Sequence, residues 1–233
     1  MQLDRYLSKY AGLSRKSILR LLTLGKISVN GQIAISRFQE VNDFSSIAIE
    51  NQPVHRHKSA RYFMMNKPAG ILSATTDKTH KTALELLPKK EAKELHIAGR
   101  LDRATTGLLI LTNDGKWSRY ITEPQQKIPK CYLVETVYPL SPETESLFAK
   151  GIYFGYENIT TSPASIETLS PTLCRLTIYE GKYHQVKRMF AAVGNRVQSL
   201  HRESMGKVVL DENLKPGEYR ALTATEITSI LSN

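Results

Sequence analysis

The stretch Gly99-Arg100-Leu101-Asp102-Arg103-Ala104-Thr105-Thr106-Gly107-Leu108-Leu109 sets one acid among basic and turn-forming residues, directly ahead of the apolar run Leu108 to Leu111. A short apolar run bounded by turn residues reads as a buried strand, so Asp102 belongs to the loop that feeds it. Loops at strand ends present reactive groups, and a carboxylate between Arg100 and Arg103 is favoured in its ionised form. Without wider context, an aspartate followed by Thr105 is more often a cap or a surface ion pair.

Around this strand the pattern repeats. Tyr62 to Met65, Tyr132 to Val137, Leu173 to Tyr179 and Val197 to Leu200 are short and rich in β-formers. Helical signals interrupt them: Ser141-Pro142 opening a stretch to Lys150, Tyr183 to Val193 closed by Gly194, and Thr223 to Leu231. Strands mixed with a few helices, without regular βαβ alternation, predict an α+β domain with a mainly antiparallel sheet over residues 60–233.

Residues 1–55 read as a separate module of helices plus a hairpin. Leu3, Leu7 and Tyr10 recur at helical spacing until Gly12. Ser14 is placed to cap a second helix through Leu24, with Ile18, Leu21 and Leu22 on one stripe and Gly25 as its stop. Ile27 and Val29, the pair Asn30-Gly31, then Ile33 and Ile35 predict a hairpin. The polar stretch Asn51 to Ser59 reads as a linker. Its His55 and His57 have no third ligand nearby and are read as solvated residues rather than a metal site.

Charge narrows the class of partner. The 32 Lys and Arg outweigh 22 Asp and Glu, a net +10 that favours nucleic acid or an anionic membrane surface. Arg5, Lys9, Arg15, Lys16, Arg20, Lys26 and Arg37 fall in a window with no acid at all, making the N-terminal quarter the expected electrostatic footprint. Cys131 and Cys174 have no paired spacing, which argues against a disulfide framework or a zinc site. The N-terminus is too charged for a signal peptide and no run is long enough to span a bilayer, so a cytoplasmic protein is expected.

Three further segments carry candidate chemistry. In Asn66-Lys67-Pro68-Ala69-Gly70, Lys67 is a candidate phosphate contact beside a turn. In Lys130-Cys131-Tyr132-Leu133-Val134, Tyr132 reads either as a core tyrosine or as an aromatic floor for a base. In Tyr183-His184-Gln185-Val186-Lys187-Arg188-Met189-Phe190, helical spacing puts Val186, Met189, Phe190 and Val193 on a buried stripe. The same spacing gathers His184, Lys187 and Arg188 on another face, either a solvated surface or a binding wall.

Gly99-Arg100-Leu101-Asp102, Thr105, Gly107-Leu108 and Asn113-Asp114-Gly115 together resemble the signature loop and following turn of the RsuA/RluA-type pseudouridine synthases. The resemblance implies that Asp102 is the catalytic residue, attacking covalently or assisting glycosidic cleavage. It implies that Tyr132 stacks on the uracil and helps remove the carbon 5 proton. Lys187 takes the place of the basic residue that pairs with the aspartate, and Arg100 contacts the displaced RNA. His184 is read as structural or RNA-contacting.

Leu3-Asp4-Arg5-Tyr6-Leu7, Ser14-Arg15 and Gly25-Lys26-Ile27-Ser28-Val29-Asn30-Gly31 resemble an S4 RNA-binding domain, although that family usually carries arginine where Gln2 stands. The RNA-binding set expected from the two resemblances and the basic residues is Arg5, Arg15, Lys16, Arg20, Lys26, Lys67, Arg100 and Arg188. Tyr183 to Asn195 is most similar to members acting on small-subunit rRNA, of the uridine-516 type. The implied partner is 16S rRNA or an assembling small subunit, with a monomeric enzyme and no metal or cofactor. A 23S rRNA target, or a non-catalytic S4-type RNA-binding protein, stays open at this point.

Overall fold

A computed structural model describes residues 1–54 and 59–231, and divides the chain into two compact units, Met1–Ala60 and Arg61–Asn233. His55 and His57 lie outside the described residues.

The first unit begins with α1 (Leu3–Ala11) and α2 (Arg15–Thr23). Gly12 ends α1 with a left-handed φ of 64°, and the Ser14 side chain caps α2 by accepting from Ser17 N–H at 3.2 Å. Next come β1 (Ile27–Val29), β2 (Gln32–Ile33), β3 (Ile47–Ile49) and β4 (Gln52–Pro53), ordered β2-β1-β3-β4 in one sheet. Leu3, Tyr6, Leu7, Ile18, Ile27, Val29 and Ile47 form the core.

Two details differ from the sequence pattern. Asn30 and Gly31 both take positive φ, giving the expected two-residue turn, but that turn sets Ile33 opposite Ser28. The register therefore turns Ile33 outward and Ala34 inward; Ile33 and Ile35 are exposed. The start of the expected linker is also strand, because Gln52 and Pro53 pair with β3 at the sheet edge, where proline's missing N–H does no harm.

The second unit is an α+β domain built on one large sheet. Its strands are β5 (Tyr62–Lys67), β6 (His96–Ala98), β7 (Thr106–Thr112), β8 (Lys130–Thr136), β9 (Tyr153–Phe154), β10 (Ile159–Thr160), β11 (Ser165–Ser170), β12 (Leu173–Ile178), β13 (Val197–Met205), β14 (Val208–Val209) and β15 (Tyr219–Ala221). The main path runs β11-β12-β8-β13-β7-β5-β15, with β14 on β13 and β6 on β7, while β9 and β10 form a separate hairpin. The pairs are antiparallel except β13 with β7, where His201 lies beside Thr106 and Arg202 beside Gly107.

Both faces of the sheet are covered. Met65, Leu109 and Leu111 pack to one side with Val134, Phe148 and Phe190; Met64, Leu108 and Ile110 pack to the other with Trp117, Ile121 and Met205. That two-sided burial is why Leu108 to Leu111 is continuously apolar instead of alternating.

The helices are α3 (Lys89–Ala92), α4 (Gly115–Thr122), α5 (Thr144–Lys150), α6 (Gln185–Ala192) and α7 (Ala224–Ser229). By sequence Asn113-Asp114-Gly115 reads only as a turn. Asp114 in fact caps α4, accepting from the N–H groups of Lys116 at 3.0 Å and Trp117 at 3.1 Å. Helix α6 starts two residues later than its periodicity suggests, because His184 takes a left-handed φ of 48°.

Candidate active site

The loop between β6 and β7 is held from below by buried cations. Lys67 closes β5, is 0% exposed, and donates through Nζ to the carbonyls of Pro68 (3.1 Å), Arg103 (3.2 Å) and Thr105 (2.8 Å). Burial lowers its pKa to about 8, with the nearby Asp102 carboxylate pulling the other way. A phosphate outside cannot reach an ammonium enclosed by three carbonyls. The expectation that Lys67 contacts RNA is therefore corrected: it braces the Asp102 loop.

Further bonds fix the same loop. Arg202, also buried, donates from Nε to Leu108 O at 2.8 Å and from its guanidinium to Gly99 O at 2.9 Å. Leu101 N–H donates to Ser73 Oγ at 3.0 Å, and Thr105 N–H to Asp102 O at 3.1 Å. Where the loop becomes strand, a Cβ on Gly107 would stand 2.4 Å from Arg202 O, and its φ is +99°. Only glycine allows β7 to approach β13 so closely there.

Asp102 emerges from this support with its side chain 27% exposed. Lys187 Nζ lies 3.7 Å from Oδ2 and His184 Nε2 lies 3.5 Å from Oδ1. Both partners come from the turn and first residues of α6. Glu180 pins that turn from a buried position: its carboxylate accepts from Ser162 N–H at 3.0 Å and Gln185 Nε2 at 2.9 Å, and pairs with Lys182. His184, structural or RNA-contacting by its resemblance, is brought to the carboxylate by the left-handed turn, which residue spacing alone does not reveal.

Tyr132, on β8, is 8% exposed. It lines an inner recess of about 70 Å³ with Asp102, Thr105 and Lys187, and an adjoining open cleft of about 480 Å³ with Arg100, Lys130 and Lys182. Both readings of Tyr132 thus describe one position, packed into the core along most of its ring yet bordering the cavity beside the carboxylate. Arg100 is exposed at the cleft.

Arg188 goes elsewhere. Its guanidinium makes two bonds to Glu157, the first at 2.7 Å, and lies 3.8 Å over the Phe154 ring. The expected grouping of His184, Lys187 and Arg188 therefore splits after two residues. Arg188, expected to bind RNA, is occupied by an internal acid and ring. The site also includes two residues that the sequence does not single out, Lys130 and Arg202. Their signal is available in part: Lys130 is two residues before Tyr132 on the same strand and so shares its face.

In the first unit, Arg5, Arg15, Lys16 and Arg20 are exposed and make no ion pair among the described residues. Lys26 is exposed and paired with Glu50. No helix among the described residues is long and apolar enough to cross a membrane.

Known proteins resemble this chain in sequence and fold. A family model described as RNA pseudouridylate synthase matches residues 61–192. The chain is 45% identical over 230 residues to the ribosomal small subunit pseudouridine synthase A of Pseudomonas aeruginosa, spanning 99% of this chain and 100% of that protein. It is 44% identical over 231 residues to the protein of the same name from Escherichia coli K12, with 99% and 100% covered. A crystal structure of a pseudouridylate synthase matches with a TM-score of 0.73 at 40% identity, covering 99% of both chains. The α+β fold and the full-length similarity make this an RNA-modifying isomerase. The chain belongs to the RNA pseudouridylate synthase family.

Proposed function

We propose that the protein converts one uridine of small-subunit rRNA, of the uridine-516 type, to pseudouridine, with Asp102 as the catalytic residue. The observation that carries this is the Asp102 carboxylate, bordered by Lys187 and His184, over a recess lined by Tyr132. Full-length similarity to small-subunit enzymes supports the choice of RNA.

The reaction breaks the N1–C1′ bond, turns the base, and forms a C5–C1′ bond; the carbon 5 proton is lost and N1 gains one. Uridine must first leave the stack, at a cost of a few kcal/mol that stacking on Tyr132 and phosphate contacts offset. Asp102 faces C1′ as attacking group or as partner to its developing positive charge. Lys187, with Nζ 3.7 Å away, sets a positive charge beside that carboxylate. Loop bracing by Lys67 and Arg202 keeps the carboxylate in place while the base turns.

The first unit is read as an S4-like module whose Arg5, Arg15, Lys16 and Arg20 grip RNA phosphates. The enzyme works as a monomer in the cytoplasm, on 16S rRNA or an assembling small subunit. Pseudouridine mapping of 16S and 23S rRNA tests this, comparing cells lacking the protein with cells given it or its Asp102→Asn form. One 16S signal restored only by the intact protein is expected. A signal lost from 23S rRNA would move the target, and no change in either would remove the ribosomal substrate.

A further inference from the structure

One buried cation in the site has no internal task among the described residues. Lys130 opens β8 two residues before Tyr132, and both side chains face the same side of the strand. It is 5% exposed, and its Nζ is buried with no hydrogen-bond partner among the described residues. The other buried cations of the unit differ: Lys67 donates to three carbonyls and Arg202 to two. An unbonded buried ammonium is costly, and such groups persist where a ligand completes them. Burial and the neighbouring Arg202 lower the pKa of Lys130 to about 8, against the pull of Glu180.

Its surroundings specify the ligand. Lys130 borders the outer cleft with Arg100, Lys182 and Arg202, and the acids there are Asp102 and Glu180. Glu180 is already bonded by Ser162, Lys182 and Gln185, and Asp102 faces Lys187 and His184. The cleft wall is left with positive charge. The inner recess, where a base would lie, contains Tyr132 and Thr105 but not Lys130. A step of two strand residues is about 6.6 Å, comparable with the reach from a base to its own phosphate.

We propose that Lys130 is an RNA-contacting residue whose ammonium donates to a phosphodiester oxygen flanking the target uridine once the base is seated over Tyr132. This rests on reading the Asp102 recess as the base site.

The test is a binding cycle in the Asp102→Asn protein, which needs no turnover. The probe is a short RNA carrying the mapped uridine, unmodified or with one neutral methylphosphonate on its 5′ or 3′ side. Lys130→Met should raise the Kd about tenfold and reduce the salt slope by about one, the expectation when a single phosphate goes unneutralised. At one of the two linkages the methylphosphonate should weaken the Lys130 protein about tenfold and the Lys130→Met protein not at all. Lys130→Gln should behave like Lys130→Met, and both should keep the parent's thermal midpoint or exceed it. Additive losses at both linkages, or an unchanged Kd and slope, would overturn the proposal. A base contact by Lys130 would produce the additive result. Persisting turnover by the Asp102→Asn enzyme would count against the catalytic reading alone, because the cycle measures binding.

Discussion

The two units use basic residues in opposite ways. In Met1–Ala60, Arg5, Arg15, Lys16 and Arg20 are exposed on short helices and make no ion pair among the described residues. In Arg61–Asn233, Lys67 and Arg202 are buried and bonded to carbonyls of the Asp102 loop, and Arg188 is bonded to Glu157. An exposed arginine contributes long-range attraction that salt screens; a buried one contributes geometry that salt does not reach. A positive count in the sequence cannot separate these uses. In this family member the first unit's exposed cations should govern affinity and the loop-bracing Lys67 and Arg202 the rate, with Lys130 adding one RNA contact from the second unit.

The largest expected effect falls on the rate. Asp102→Asn should lower kcat by about a thousandfold or more while leaving the RNA Kd within about threefold. Single-turnover assays beside filter binding check this, and a matched loss of affinity would break the division between units.

Next comes Gly107→Ala. A Cβ 2.4 Å from Arg202 O, on a residue at φ +99°, should destabilise the second unit by about 3 kcal/mol. Urea unfolding measures the change, and an unaltered midpoint would show that β7 and β13 can separate at no cost.

Neutralising Arg5, Arg15, Lys16 and Arg20 together to Gln should weaken RNA binding about thirtyfold at moderate salt. It should lower the salt slope by about 0.9 for each phosphate that these side chains neutralise, with kcat at saturating RNA unchanged. A fall in kcat instead would show that the first unit does more than hold RNA.

The smallest effect concerns stability and pH. The folded-state pKa of Lys130, about 8, lies below the ordinary lysine value of 10.5. Between those values the unfolded chain keeps a proton that the folded chain sheds, so stability rises with pH across that window. Lys130→Met removes this cost. It should gain about 1–3 kcal/mol near neutral pH, and the gain should shrink as pH climbs from about 8 to 10.5. Unfolding curves at pH 7, 9 and 10.5 test it; a constant difference would mean Lys130 is not desolvated in the folded protein.

Much is legible from local chemistry. Ser14, Gly12, Asn30-Gly31 and the apolar run after Gly107 each act within a few residues of themselves, so helices, turn and central strand follow from sequence. Helix α4 escapes such reasoning because it is short and its cap, Asp114, is also a good turn residue. The outward Ile33 escapes it because register depends on its partner Ser28, not on its own hydrophobicity.

The sequence by itself determined the order of the two units, the strand–helix mixture, the family resemblance and the motifs around Asp102, Tyr132 and Lys187. These are carried by neighbouring residues and by spacing along one element. Tertiary structure alone decided that Lys67 braces a loop, that Arg188 turns to Glu157, that His184 joins Lys187 at Asp102, and that Lys130 is left unbonded among the described residues. Each of these depends on which distant carbonyl or carboxylate lies within about 3–4 Å, a distance set by chain crossings that no local pattern records.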